Sequence, residues 1–508
     1  MTLTRAQWAA FAVVLYLGLF HNLGALPLFD VDEGAFSEAT REMLARGDFL
    51  TTYLGGELRF DKPILIYWLQ AASVSLLGLS ELAVRLPSAL AGTAWVGLTF
   101  AFARRYAGTA AAVWAALFMA GAVQVGLIAK AAIADALLNL CLAAALLAIY
   151  RYRAGGGRGF LYGAFAAMGL GLLTKGPVAL LIPFMVTLID YGSRRRWREW
   201  LRGVLHPGGW ALMLAIAAPW YIAEYLVQGQ AFIDGFILKH NVGRFEGSME
   251  GHSGSLLYFV PVLLIGTLPF TGLILRGLRP LRELWAEDLG RFLLIWFAFV
   301  LVFFSLSGTK LPHYIVYGYT PLFILAGRAA VRDWSRPLAA VWPVLFLALL
   351  ALLPILIKAV PAPGDPGVSA QLSAFTGLAG AWWIAGLAAL AAVSAALAWQ
   401  PDRRWTLLGW GLAMGIAFHA VLLPTAASVR QGPVKEAGLL ARQLDRPVHV
   451  TIRKPSFYFY ARTTGAAGPP RPGHLVLTKP KRLDRLPPHR ILYRGGPVIL
   501  AEILGAPR

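Results

Sequence analysis

Long apolar runs separated by short polar stretches recur at residues 8–26, 84–103, 108–128, 135–150, 159–174, 177–190, 209–228, 255–275, 290–307, 313–330, 337–358, 374–399 and 405–424. Each run is about 15–25 residues long, which is what an α-helix needs to cross a hydrocarbon layer about 30 Å thick. The pattern predicts thirteen membrane-spanning helices. One further apolar stretch, 64–79, contains Tyr67, Trp68 and Gln70, which suit a headgroup region, so it reads as a helix lying at the outer interface.

After about residue 424 the apolar runs stop. Residues 432–444 have a helical period, 447–453 and 475–478 read as strands, and 491–493 and 498–503 as further short elements. The expected fold class is an all-α polytopic membrane domain, 1–424, with a large first outer loop at 27–83. It is followed by a small soluble α/β domain at 425–508. From Arg430 to Arg508 there are 15 Lys and Arg against 4 Asp and Glu, a basic face suited to anionic lipid.

Composition agrees with membrane residence. The 508 residues are 58% hydrophobic and only 14% charged, with 17 Trp, well away from the usage of soluble domains. The net charge of +20 would suit nucleic acid, but the basic residues sit in clusters between apolar runs, which argues against it. Arg104-Arg105, Arg151 to Arg158, Arg194 to Arg202, Arg276 to Arg291, Arg328 to Arg336 and Arg403-Arg404 alternate with the runs as cytoplasmic loops do. That parity puts the N-terminus inside and the 425–508 domain outside, and it would fail if 64–79 crossed. The first run reads as a retained span, because no small-residue cleavage site follows it. The one cysteine, Cys141, lies in an apolar run, which excludes an intramolecular disulfide framework.

A charged island interrupts this economy of charge. It runs from Phe29-Asp30-Val31-Asp32-Glu33 through Glu38, Arg41 and Glu42 to Arg59-Phe60-Asp61-Lys62-Pro63. Carboxylates beside a membrane span cost free energy unless paired or wetted, so their crowding marks a site. Residues around Glu33, Phe36, Glu38, Glu42, Met43 and Leu44 form a short amphipathic pattern ending near Gly47, expected to lie on the membrane surface. Lys62, Lys130, Lys175, Lys239 and Lys310, with Arg59, Arg85 and Arg244, fall on the outer face against the topological bias. Single lysines at span ends snorkel; a set of them suits a phosphate-bearing lipid.

Such a set can hold a phosphate group and stabilise it as a leaving group, and a carboxylate beside it can take a proton from an acceptor hydroxyl. Asp32 and Asp30 are equivalent by chemistry alone. Glu33 is either a further acid or a local pairing group, and Asp135 is either a site acid or the partner of Lys130. Arg59, Lys62, Arg244, Lys310 and Tyr314 are the candidate phosphate contacts. No metal is required, although Asp61 and His240 could share a divalent ion. His252 and His313 read as interfacial polar residues.

Six motifs in order carry a resemblance. Asp32-Glu33 with Glu38 and Arg41-Glu42-Met43-Leu44, Phe60-Asp61-Lys62-Pro63, Ala134-Asp135-Ala136, Thr174-Lys175-Gly176, His240 with Arg244-Phe245, and Phe303-Phe304-Ser305 through Lys310-Leu311-Pro312-His313-Tyr314 resemble those of bacterial GT-C class membrane glycosyltransferases. The likeness is to the lipid A 4-amino-4-deoxy-L-arabinose transferase and protein-mannosyltransferase-like family. The resemblance implies a polyprenyl (undecaprenyl) phosphate sugar donor, transfer on the periplasmic face of the bacterial inner membrane, and an envelope acceptor such as lipid A. It implies Asp32 and Asp135 as catalytic acids and Lys62, Arg244 and Tyr314 at the lipid phosphate, and it favours Asp32 over Asp30. Ala35-Phe36 stands where aminoarabinose transferases commonly have Arg-Tyr, and Asp61 where they have Glu; both departures bear on the sugar and acceptor. A monomer is expected. The alternatives are a protein or polysaccharide glycosyltransferase of this class, or a flippase for an anionic lipid. A flippase would place its charges near the bilayer midplane and show inverted repeats; here the charges gather on one face and no repeat is found.

Overall fold

The computed structural model describes residues 3–243, 254–361 and 363–505, with backbone alone for 240–242. Every apolar run that the sequence assigns to the membrane contains a helix. Among the described residues, eight helices are long and apolar enough to cross by themselves: Glu81–Tyr106, Asp135–Arg153, Pro207–Gln228, Asp288–Leu306, Pro312–Val331, Arg336–Ala359, Ala381–Trp399 and Arg403–Arg430. Two further runs are bent: Thr109–Gly121 turns by 66° into Val123–Lys130, and Phe259–Gly266 turns by 119° into Thr271–Leu278, which brings the count to ten. The other expected runs are Arg5–Leu19, Arg158–Lys175 and Val178–Ser193, with 15, 18 and 16 residues.

The sharper bend has a local cause. Pro269 has no amide hydrogen with which to continue a helical ladder. The hydroxyls of Thr267 and Thr271 instead donate to the carbonyls of Leu263 and Leu264, at 2.9 and 2.7 Å. The run expected from 374 is divided too: Pro366–Leu378 is a separate helix, and the spanning one begins at Ala381. Inside the bundle the largest side chains bring their own partners. Fully buried Trp95, Trp296, Trp383 and Trp410 donate their indole N–H to Thr320 Oγ1, Tyr317 O, Leu350 O and Ser394 O at 2.8–2.9 Å. In surroundings without water an unmet N–H is expensive, so these bonds fix which indole faces which helix.

The first long loop folds as the helix Asp32–Arg46, a two-residue hairpin (Tyr53–Leu54 with Glu57–Leu58) and the helix Leu65–Leu77. Gly47, at φ 67°, ends the first helix, and Gly55 and Gly56, at φ 64° and 86°, form the hairpin turn that needs two left-handed residues. The sequence puts Tyr67 and Gln70 at a headgroup surface; in the structure both are fully buried. Tyr67 stacks on Phe36 at 5.3 Å, and Gln70 accepts from Thr40 Oγ1 and donates to the carbonyls of Val84 and Ala132. Glu38 and Glu42, expected on a wet face, are buried as well.

The C-terminal unit packs against the loop helix, Arg41 donating to the Thr463 carbonyl. Its four-stranded sheet runs in the order Val448–Val450, Leu475–Thr478, Val498–Ile503, His489–Gly495, with the first pair parallel and the others antiparallel. The helices Gly432–Leu444 and Pro455–Ala461 pack on it through Val434, Ala437, Phe457 and Leu500. Pro455–Ala461 also seats on the loop helix. Ser456 donates through its amide and hydroxyl to Asp30 at 2.8 and 2.7 Å, and the Leu28 amide donates to Tyr460 Oη at 2.8 Å. A Cβ on Gly34 would lie 2.4 Å from the Ser456 nitrogen, so this close approach requires glycine.

A buried ion pair ties the loop to the bundle. The Glu33 carboxylate accepts from Arg85 Nε and Nη2 at 2.8 Å each, from the Phe29 amide at 2.9 Å and from the Ala132 amide at 2.8 Å. Arg85 directs its remaining hydrogens to the carbonyls of Leu23, Leu26 and Pro27. Removing one partner of a buried pair leaves the other uncompensated, at a cost of about 3–5 kcal/mol. Glu33→Ala should therefore lower the unfolding midpoint of the purified protein sharply, whereas Arg196→Ala, on a pair with Glu199 that is open to solvent on both sides, should change stability by less than about 1 kcal/mol. Equal effects in denaturant titrations would refute this difference.

Candidate active site

Residues far apart in sequence meet at one end of the bundle. Asp32 occupies the first turn of its helix, where the macrodipole favours an acid, and it is exposed. Asp61 bridges two cations, accepting from Arg59 Nη2 at 2.8 Å and from Lys62 Nζ at 3.0 Å. Lys62 Nζ also donates to the Asp61 carbonyl at 2.8 Å, and the Arg59 guanidinium lies 5.4 Å from the Phe36 ring. Pro63 holds the residue before it in extended conformations, which keeps Lys62 out of the following helix.

A second acid stands opposite. Asp135 opens the helix Asp135–Arg153, and its Oδ1 accepts from Lys175 Nζ and from Tyr317 Oη, both at 2.6 Å. Lys175 Nζ is also 2.7 Å from Tyr317 Oη and 5.5 Å from the ring centres of both Tyr314 and Tyr317. His313 Nε2 lies 3.7 Å from Asp135 Oδ1. The charges of Asp135, Lys175, Asp32 and Lys62 all act on His313, and those of Asp61 and Asp32 both act on Arg59. The three acids and three cations therefore share one electrostatic region.

The structure separates residues that the sequence leaves equivalent. Asp30, two positions before Asp32, has a fully covered side chain held by Ser456, with Lys454 Nζ at 3.8 Å. Burial pushes its carboxyl up to about 6. Burial also works against charge on Glu33, but Arg85 and the Phe29 and Ala132 amides overturn that and hold the group below its ordinary value. With all its acceptor positions engaged, Glu33 is a frame element. Lys130 is not the partner of Asp135: its Nζ bonds the Leu17 carbonyl at 3.0 Å and His419 Nδ1 at 2.9 Å. Lys310 Nζ donates to the Ser307 carbonyl at 2.8 Å.

Arg244, His252 and the His240 side chain lie outside the described residues. Among those described, no group of three His, Cys, Asp or Glu side chains could hold a metal ion, and the Asp61 carboxylate is already taken by Arg59 and Lys62. Sequence reasoning placed His313 at the interface and passed over Tyr317. The spacing of Tyr314 and Tyr317 did hold a signal, because residues three apart in a 3-10 turn project from the same face.

Two cavities adjoin these groups. One, of ≈250 Å³, is lined by Asp32, Phe29, His21, Asn22 and Lys130. The other, of ≈400 Å³, is apolar and follows the bundle from Pro177 past Leu181, Phe184 and Ile149 to Trp200 and Trp210. Its Pro177 end is two residues from Lys175.

A family profile described as dolichyl-phosphate-mannose-protein mannosyltransferase matches residues 61–222. The chain is 32% identical over 436 residues to an undecaprenyl phosphate-alpha-4-amino-4-deoxy-L-arabinose arabinosyl transferase of Aeromonas hydrophila, covering 80% of this chain and 74% of that one. It is likewise 32% identical over 440 residues to the protein of the same name from Aeromonas salmonicida, with the same coverage. Its fold is that of ArnT from Cupriavidus metallidurans, solved bound to undecaprenyl phosphate: TM-score 0.81 at 22% identity, covering 98% of both chains.

The raised Asp30 carboxyl has a consequence for stability. The unfolded chain loses this proton near the ordinary value of 3.8, the folded chain only near about 6. Its contribution is therefore complete below the lower value and is lost as pH rises through the upper one. Between pH 4 and pH 6.5 the unfolding midpoint should fall less steeply in Asp30→Asn than in the parent protein; parallel curves would refute the assignment.

Proposed function

The chain belongs to the family of undecaprenyl phosphate-alpha-4-amino-4-deoxy-L-arabinose arabinosyl transferases, and on that premise we propose that it transfers aminoarabinose from undecaprenyl phosphate to lipid A. The observation that carries this reading is the exposed Asp32 carboxylate, which acts on Arg59 and, together with Lys62 and Lys175, on His313. Cations held ready by Asp61 and Asp135 are what a lipid phosphate leaving group needs. In the transfer, the bond from the sugar's anomeric carbon to the donor phosphate oxygen breaks and one to the acceptor oxygen forms. Asp32 takes the proton when the acceptor is a hydroxyl, and Lys62 and Lys175 meet the departing phosphate. Asp135 orients Lys175 and Tyr317, and Glu33 holds the loop. Arg244 belongs with the phosphate contacts by family resemblance.

The sequence departures fit this substrate class. Ala35 and Phe36 are buried, with Phe36 packed on Tyr67, so this departure lies behind the site rather than against the sugar. Asp61 keeps the acidic character of its position and spans Arg59 and Lys62 with a shorter arm. The apolar cavity beginning at Pro177 suits the prenyl chain.

In the same reading the three shorter helices complete a thirteen-span arrangement. The arginine clusters then face the cytoplasm, and the first loop and the 425–508 domain face the periplasm. Cysteines placed at exposed Ser193 and Asp484 should react with an impermeant reagent from opposite sides; labelling of both from one side would remove the arrangement.

Asp32→Asn should abolish turnover of an undecaprenyl-phosphate-linked sugar without lowering the unfolding midpoint, since the side chain is exposed. Charge-assisted hydrogen bonds contribute roughly 1.5–3 kcal/mol, so Lys62→Ala should lose about 10- to 100-fold in donor affinity or turnover. Parent-like kinetics in both variants would overturn the proposal.

A further inference from the structure

At the far end of the bundle, four arginines close on one cavity that the transfer reaction does not use. It has a volume of ≈310 Å³, lies where the helices Thr271–Leu278, Leu281–Ala286 and Tyr319–Val331 end together, and is lined by Arg276, Arg279, Arg328, Arg332 and Glu283. Arg328 is eleven positions beyond Tyr317 along the helical path, and a rise of about 1.5 Å per residue places the cavity well away from Asp135.

Arginines that only set topology fan out among headgroups and solvent, and they need no shared cavity. Here four arginine side chains line one cavity, Arg276 donating to the Asp333 carbonyl, with Glu283 as the sole carboxylate in the lining. Arg328 gives Nη2 to Glu287 at 2.6 Å, while its Nη1 is buried and has no hydrogen-bond partner among the described residues. A buried donor without a partner calls for an explanation, and mutual repulsion makes the cluster costly without an anion. Planar guanidinium forks match phosphate oxygens two at a time. A volume of this size is at the lower end of small-ligand pockets, which span ~300–1,000 Å³, and basic pockets between membrane helices suit phosphorylated headgroups.

We propose that this cavity is a second anion site, taking a phosphate group carried by an anionic phospholipid or by a soluble phosphate ester. Arg279 and Arg332 are exposed and hold no ion pair among the described residues, so the double variant Arg279→Gln/Arg332→Gln tests binding without dismantling the Arg328–Glu287 pair. Its unfolding midpoint without ligand checks that it folds as the parent does; if the midpoint falls, Arg279→Gln alone replaces it.

The purified full chain is titrated with dioctanoyl phosphatidylglycerol, with dioctanoyl phosphatidylcholine and with inorganic phosphate. Binding is read by native mass spectrometry and by the shift of the unfolding midpoint. The expected result is that phosphatidylglycerol binds the parent at least tenfold more tightly than the variant, and that phosphatidylcholine does not distinguish them. If inorganic phosphate reproduces the difference and phosphatidylglycerol does not, the site stands and its ligand is soluble. If parent and variant respond alike to both anions, the site is refuted.

Discussion

Glu33 and Arg85 set the geometry on which the loop end of this protein depends. A carboxylate and a guanidinium taken out of water lose solvation that their mutual attraction alone repays poorly, and they persist only where every remaining lone pair and hydrogen is used. Both conditions are met here. Arg85 reaches back to the carbonyls of Leu23, Leu26 and Pro27, and Glu33 reaches across to the Ala132 amide. The end of the first helix, the loop helix and the turn before Asp135 are thereby joined at one point. Asp32 is adjacent to Glu33 in sequence and Asp135 lies three residues past Ala132, so this single pair fixes how the two acids face each other.

The same logic of complete satisfaction governs the cations. Lys62 and Arg59 lean on Asp61, and Lys175 leans on Asp135 and Tyr317. Each is held in place at low cost by a carboxylate before any anion arrives. A phosphate entering this region meets oriented donors rather than flexible ones, so little ordering entropy remains to be lost on binding. A lysine on a free four-carbon stem could not offer that.

The apolar periodicity of the chain revealed nearly all of the bundle, because burial in lipid writes its length requirement directly into the sequence. The short elements of the C-terminal unit were legible as well; 432–444, 475–478 and 498–503 agree with the helix and strands at their ends. What could not be read were choices made across large sequence separations. Asp30 and Asp32 differ only because Ser456 covers one of them. Tyr67 and Gln70 have the composition of interfacial groups, but Phe36, Thr40 and the turn at Ala132 enclose them. By sequence Asp135 had Lys130 as its near neighbour; the fold delivers Lys175 and sends Lys130 to His419. The bend at Pro269 was present in the sequence as a proline, yet the hydrophobic average across 255–275 conceals it.

The contact of Pro455–Ala461 with the first loop also orders events in time. Ribosomes release the loop near residue 30 long before the segment near residue 456, and the intervening helices must enter the bilayer first. Until the last part of the chain emerges, the Asp30 carboxylate and the Leu28 amide have only water as partners. The first loop is thus the earliest part synthesised and the last part finished: in an incomplete chain Asp30 stays solvated and the loop uncovered until translation and insertion are both complete.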